Sequence, residues 1–206
     1  TGLDSEQALE THLTQSFRQT EGAAVCFFSP QNIDRLVTIF KASKRSGRIF
    51  VFDLYGSTIA TASGKDTIPQ PTWDDVKMCV RKSESLRVLR TQEFHRVNDL
   101  HGNRIYREDI AADPSQYVLC GRPGSIDELA KEGCLKGATA FWCQWAGYLD
   151  RDQRLKRTLE NEQVNLTHAH VSGHAPSEDL IAFANETGAR EAATGRRRTP
   201  IIALTA

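Results

Sequence analysis

The sequence predicts an α/β fold: a mostly parallel, Rossmann-like sheet with helices on both faces. Three observations carry this expectation. Short apolar runs alternate with stretches of helical periodicity along the whole chain. The runs at residues 23–28, 48–53 and 117–120 are dominated by apolar side chains, as strands buried on both faces are. A chain of 206 residues, 39% hydrophobic and 25% charged, can bury one substantial core and a small second lobe.

The elements follow in order. Leu9, Leu13 and Phe17 recur every four residues within residues 5–19, which predicts an amphipathic helix with Ser5 as its N-cap. Residues 23–28 form a buried strand, which Ser29, Pro30, Gln31 and Asn32 break. The next helix presents Ile33, Leu36, Val37 and Phe40 on one face and ends near Ser46 and Gly47. Residues 48–53 are the second strand, followed by a short helix at 57–62, a linker rich in Pro and Thr at 64–71 and a third strand at 76–80. The most polar part, residues 81–113, predicts a helix near 84–97, a turn at His101, Gly102 and Asn103, and a short helix at 107–112. After the strand at 117–120, Ser125 caps a helix reaching Glu132, with Glu128 at the capping-box position. Residues 138–145 are a strand and 151–163 an exposed helix. Val164 and Leu166 begin a strand that runs into a histidine cluster; a helix to about Thr187 and a last strand at 200–204 follow.

Charge excludes little. Lys+Arg and Asp+Glu both number 26, so net charge carries no nucleic-acid signal, although a local basic groove can hide in a neutral total. The run Arg196, Arg197 and Arg198 reads as a solvated turn. Five cysteines without a CxxC pair fit buried free thiols in a reducing cytoplasm better than disulfides or a zinc site. No apolar run reaches the roughly 20 residues that span a bilayer, so no membrane partner is expected. No secretory signal is visible, and the chain begins at Thr1, as a piece of a longer protein would.

Residues 168–175 hold three of the six histidines at a strand-to-helix turn, where open α/β sheets bind ligands. His168 and His170 share a strand face, and with His174 they could ligate zinc. Alternatively, one imidazole faces the core and another caps the helix. Ser172 and Gly173 offer a hydroxyl and backbone donors at a helix start, which suits a phosphate oxygen better than a metal. Asp53 ends an apolar strand, as an active-site carboxylate or as an N-cap. Asn32 reads as a cap and Asp34 with Arg35 as a surface pair, ahead of a substrate-facing Arg35. Trp142, Trp145 and Tyr148 cluster near Gly147; core packing is their default and base stacking the alternative.

Four segments fall in one order: residues 29–35 (SPQNIDR), 47–55 (GRIFVFDLY), 145–149 (WAGYL) and 170–175 (HVSGHA) with Asp179 and Leu180. In that order they resemble the β-CASP branch of the metallo-β-lactamase-fold hydrolases, nearest to its ribonuclease-J-like and exonuclease-like members. The resemblance covers roughly residues 20–187. It implies a β-CASP-like lobe over residues 1–165. Residues 166–206 then carry the histidine motif and the start of a returning metallo-β-lactamase segment. It implies metal-activated water attacking a phosphodiester. Asp53, His170 and His174 would be catalytic, while Ser172, Gly173, Asn32 and Arg35 would bind phosphate or substrate.

Zinc would belong to the parent protein. The family's HxHxDH motif has no counterpart here, and residues 200–204 lack its Pro-x-His ligand, so no metal ligand is expected from this chain. The expected partners are nucleic acid, RNA ahead of DNA, and the N-terminal half of the hydrolase domain, with a homodimer as one candidate assembly. The isolated chain is expected to be inactive. The alternatives are a non-catalytic RNA- or protein-binding module of the same fold, or a small-phosphoester hydrolase.

Overall fold

The computed structural model describes residues 5–171 together with Phe183, Glu186, Glu191, Ala192, Ile202 and Ala203. It divides into two compact units, Thr1–Val171 and Ser172–Ala206. In the first, helix α1 (Glu6–Gln19) precedes strand β1 (Ala24–Phe27), and α2 (Ile33–Ser46) leads to β2 (Ile49–Phe52). Helix α3 (Leu54–Ala62) leads to β3 (Val76–Met78). Helices α4 (Lys82–Thr91), α5 (His95–Asn98) and α6 (Arg107–Ala112) separate β3 from β4 (Tyr117–Gly121). Then come α7 (Ile126–Lys131), β5 (Thr139–Trp142), α8 (Ala146–Arg151), α9 (Gln153–Asn161) and β6 (Asn165–His168). In the second unit, β7 (Glu191–Ala192) pairs antiparallel with β8 (Ile202–Ala203), and Phe183 and Glu186 are helical.

The fold class is α/β, as the sequence predicts. Six strands lie in the order β3-β2-β4-β1-β5-β6, and every pairing is parallel. From β1 the chain steps outward to β2 and β3, then returns through β4, β5 and β6 in the opposite direction. Right-handed crossovers in opposite directions place their helices on opposite faces. The core obeys this rule. Leu13 and Phe17 of α1 and Ile39 of α2 pack with Phe50, Phe52 and Phe141 on one face. Ile126 of α7 and Leu155 and Leu159 of α9 pack with Val25, Phe27 and Trp142 on the other. Neighbouring residues of β1, β2, β4 and β5 thus enter opposite clusters, as a period of two requires.

Local chemistry explains most boundaries. Ser5 accepts from the Ala8 amide at 3.1 Å, and Asn32 Oδ1 from the Arg35 amide at 3.0 Å. Gly47 ends α2 at φ 79°, a left-handed conformation that glycine adopts without strain. Four expectations need correction. The helix expected near 84–97 breaks into α4 and α5 because Gln92 turns left-handed at φ 58°. The helix expected over 151–163 starts later, because Asp152 accepts from the Leu155 amide at 2.9 Å and caps α9. The strand expected to reach residue 145 ends at Trp142, where the chain turns into α8. Ser125 holds the N-cap position of α7 but makes no side-chain cap bond, because its hydroxyl donates back to the Arg122 carbonyl at 3.0 Å.

Candidate functional site

An all-parallel sheet gathers the carboxyl ends of its strands at one edge, where α/β proteins bind ligands. Two polar clusters occupy that edge. One lies past β2, β3 and β4, the other past β1, β5 and β6.

The first is built around Asp53, which is 3% exposed. Its Oδ1 accepts from the Gly56 amide at 2.7 Å and so caps α3. Its Oδ2 accepts from Arg122 Nε at 2.9 Å and lies 3.5 Å from Arg81 Nε. Glu84 reinforces the cluster. It takes the Leu54 and Tyr55 amides at 3.2 and 3.1 Å, the Arg81 amide at 3.0 Å and the Arg81 guanidinium at 2.8 Å. One carboxylate thereby caps the starts of α3 and α4 together. Burial works against the Arg81 charge, but the bond to Glu84 and the nearby carboxylates outweigh it, so the guanidinium is held above its ordinary value. Arg122 lies over the Tyr55 ring, 4.8 Å from its centroid.

These groups wall a pocket of about 310 Å³ that also takes in Arg87 and Arg96. That volume is at the small end of the range for ligand sites. Four arginines face it against one lining carboxylate, Glu84, with Asp53 just beneath. A cavity of about 40 Å³ beside Asp53 reaches Cys79, Arg107 and Glu128, room for a few waters. The Arg122 side chain keeps one buried donor, Nη2, without an acceptor, and Arg107 Nε is likewise orphaned.

The second cluster centres on Arg35, which is 2% exposed. Its Nη1 donates to the Cys143 carbonyl at 2.6 Å and its Nη2 to the Val171 carbonyl at 3.1 Å. Nη2 also pairs with Glu6 at 2.9 Å, and Nε reaches the same carboxylate at 3.2 and 3.3 Å. Thr38 donates to Glu6 at 2.8 Å. Burial alone would raise the Glu6 carboxyl; the bonds from Arg35 and Thr38 and the Arg35 charge hold it below the usual carboxylate value. His170 Nδ1 sits 3.5 Å from Arg35 Nη1 and 3.4 Å from the Cys143 carbonyl.

The expected site residues therefore separate. Arg35 is neither a surface partner of Asp34 nor open to a substrate; it ties α1 and α2 to the turns after β5 and β6. Asn32 is the α2 cap. Asp53 serves at once as cap and as anchor for two arginines. His170 lies in the Arg35 cluster, away from Asp53. Ser172, Gly173 and His174 lie outside the described residues. Sequence reasoning missed Arg81, Glu84, Arg87, Arg96 and Arg122; the three-residue spacing of Arg81 and Glu84 was the one capping signal available.

All five cysteines are free. Burial raises Cys79 to about 11 and Cys134 to about 12 and pushes Cys26 and Cys120 well up too, so these four thiols are not primed as nucleophiles. Among the described residues no three His, Cys, Asp or Glu side chains gather as metal ligands would. With Asp53 held by two arginines and an amide, the described residues do not fit a zinc ion. Among the described residues no helix is long and apolar enough to cross a membrane. No family model matches the chain, and no curated protein matches it.

Proposed function

We propose that this chain grips the phosphate backbone of a nucleic acid, RNA ahead of DNA, as the β-CASP-like lobe of a phosphodiester hydrolase whose zinc ligands come from residues outside these 206. The observation that supports it is the pocket past β2, β3 and β4, where Arg81, Arg87, Arg96 and Arg122 converge. Asp53 and Glu84 fix Arg81 and Arg122 in place before any ligand arrives. Arg87 supplies charge at the rim, beside Arg96, which donates to Glu93 at 3.1 Å and to Thr58 at 3.0 Å. Guanidinium contacts to phosphate position a strand without reading its sequence. In this reading the chain clamps, and on its own it does not cleave.

Binding of a single-stranded RNA oligomer, followed by fluorescence anisotropy across a salt series, tests the proposal. Two to four phosphate contacts give a log–log salt slope of about −1.5 to −3. The Arg87→Ala, Arg96→Ala double variant should bind about 10-fold more weakly and with a shallower slope. No binding at low salt, or an unchanged affinity in the variant, overturns it.

A non-catalytic RNA-binding module is the second reading. The full engagement of Asp53 favours it, because a carboxylate that caps a helix and anchors two arginines is poorly placed to accept a proton. A longer, zinc-loaded protein containing this chain that binds RNA without cutting it selects that reading.

A further inference from the structure

The motif that the phosphate reading leaves over is Trp142, Trp145, Gly147 and Tyr148, past the carboxyl end of β5. Its rings have different fates. Trp142 is 2% exposed and tilts against Phe27, with centroids 5.8 Å apart. Its indole Nε1 donates to the Trp145 carbonyl at 3.1 Å, which pins the backbone of the turn. Trp145 and Tyr148 are 50% and 59% exposed. They meet edge to face, with centroids 5.4 Å apart and planes at 89°.

Gly147 seats the Trp145 indole. A Cβ added there would lie 2.2, 2.3 and 2.7 Å from Cη2, Cζ3 and Cζ2, three atoms of the six-membered ring. The ring thus lies against the glycine where any side chain would stand. A pinned backbone, a glycine seat and a perpendicular tyrosine hold a half-exposed indole in one attitude. Such a surface loses little freedom when a flat ring lands on it.

The surroundings select the occupant. Residues 150–157 carry Arg151, Arg154, Lys156 and Arg157 against Asp150 and Asp152. Asp150 pairs with Lys156, and Asp152 caps α9. Arg154 pairs with Asp127. Arg151 follows Tyr148 by three residues and so shares its helix face. An exposed aromatic pair followed at once by this basic stretch suits a base attached to a phosphate chain. Along the sheet edge, β5 is three strand spacings from β2, about 14 Å. We infer that Trp145, seated on Gly147 and flanked by Tyr148, is a stacking platform for an unpaired base of a single-stranded nucleic acid. This rests on the phosphate reading, since the arginine pocket would hold phosphates of the same strand.

The test compares a uridine oligomer with an abasic phosphodiester chain of equal length, using the whole chain and anisotropy. The wild type should bind the uridine oligomer roughly 10-fold or more tighter than the abasic one. Trp145→Ala should erase that difference and leave the abasic affinity unchanged; Trp145→Phe should keep most of it. Gly147→Ala is the sharper variant. Alanine is the better helix former, so the fold holds, but its Cβ evicts the indole and base preference falls while every tryptophan remains. Thermal melts confirm that each variant is folded.

Equal wild-type affinity for the two oligomers, or a Trp145→Ala loss shared by both, overturns the platform and leaves the phosphate reading standing. Base-dependent binding that ignores salt, with the abasic chain unbound, does the reverse. Binding of neither overturns both. A dimer in sedimentation that Trp145→Ala dissolves makes the surface a contact between copies and overturns the platform.

Discussion

Arg35 and Arg122 both stand just past the carboxyl ends of parallel strands, yet they are used in opposite ways. Arg35 places its donors on one carboxylate and two backbone carbonyls and is closed to solvent. Arg122 has one firm partner, Asp53, a tyrosine ring below it and a buried donor still without an acceptor. The same side chain is a rivet in one place and one acceptor short in the other. What separates them is the count of acceptors within reach, which residue type does not reveal.

The largest effect should come from breaking the rivet. Arg35→Ala leaves Glu6 and two carbonyls without their donor and should lower unfolding stability by about 3–5 kcal/mol, read by denaturant titration. A loss below about 1 kcal/mol would erase the contrast. Asp53→Asn probes the other cluster. It should lower stability by about 2 kcal/mol, because two arginines lose their counter-charge while the cap can persist. The same change makes the pocket more positive, so RNA affinity should rise by roughly 3-fold at low salt. Stability and affinity moving in the same direction would contradict a pocket built for anions.

Asn32→Ala should remove about 1 kcal/mol of helix capping and leave RNA affinity unchanged. Weaker RNA binding in that variant would return Asn32 to the substrate side. The smallest effect is a pH dependence. The Glu6 carboxyl is lowered in the folded state, so its contribution is complete above the unfolded value of about 4.3 and is lost as pH falls through the folded one. Stability measured from pH 6 downward should show this loss in the wild type and lack it in Arg35→Ala; identical acid limbs would disconnect Glu6 from Arg35.

Local signals carried much of the fold. Ser5 and Asn32 were legible as caps and Gly47 as a stop, because each acts within four residues of its own position. The apolar runs at β1, β2 and β4 announced strands buried on both faces. The break at Gln92 was not legible, since glutamine rarely takes a left-handed turn and nothing nearby marks it. The site was harder. Arg35 finds its partners 29 residues upstream and 108 and 136 residues downstream, separations over which sequence periodicity is silent. Glu84 shows its first duty in the spacing to Arg81, but its second, capping α3, crosses 30 residues. Asp53 was visible as a strand-ending carboxylate; that it anchors arginines instead of standing free was a matter of tertiary neighbours.

The strand order also has a consequence for synthesis. β1 lies inside the sheet, and its two partners start 94 and 115 residues later, at Val118 and Thr139 opposite Ala24. At ribosomal speeds the nearer partner follows after about 5–20 s. During that interval α1 and α2 can shelter Cys26 and its neighbours on one face, while Val25 and Phe27 await α7 and α9. A nascent chain stalled before residue 117 should therefore display a sticky, half-clothed strand in the middle of the future sheet.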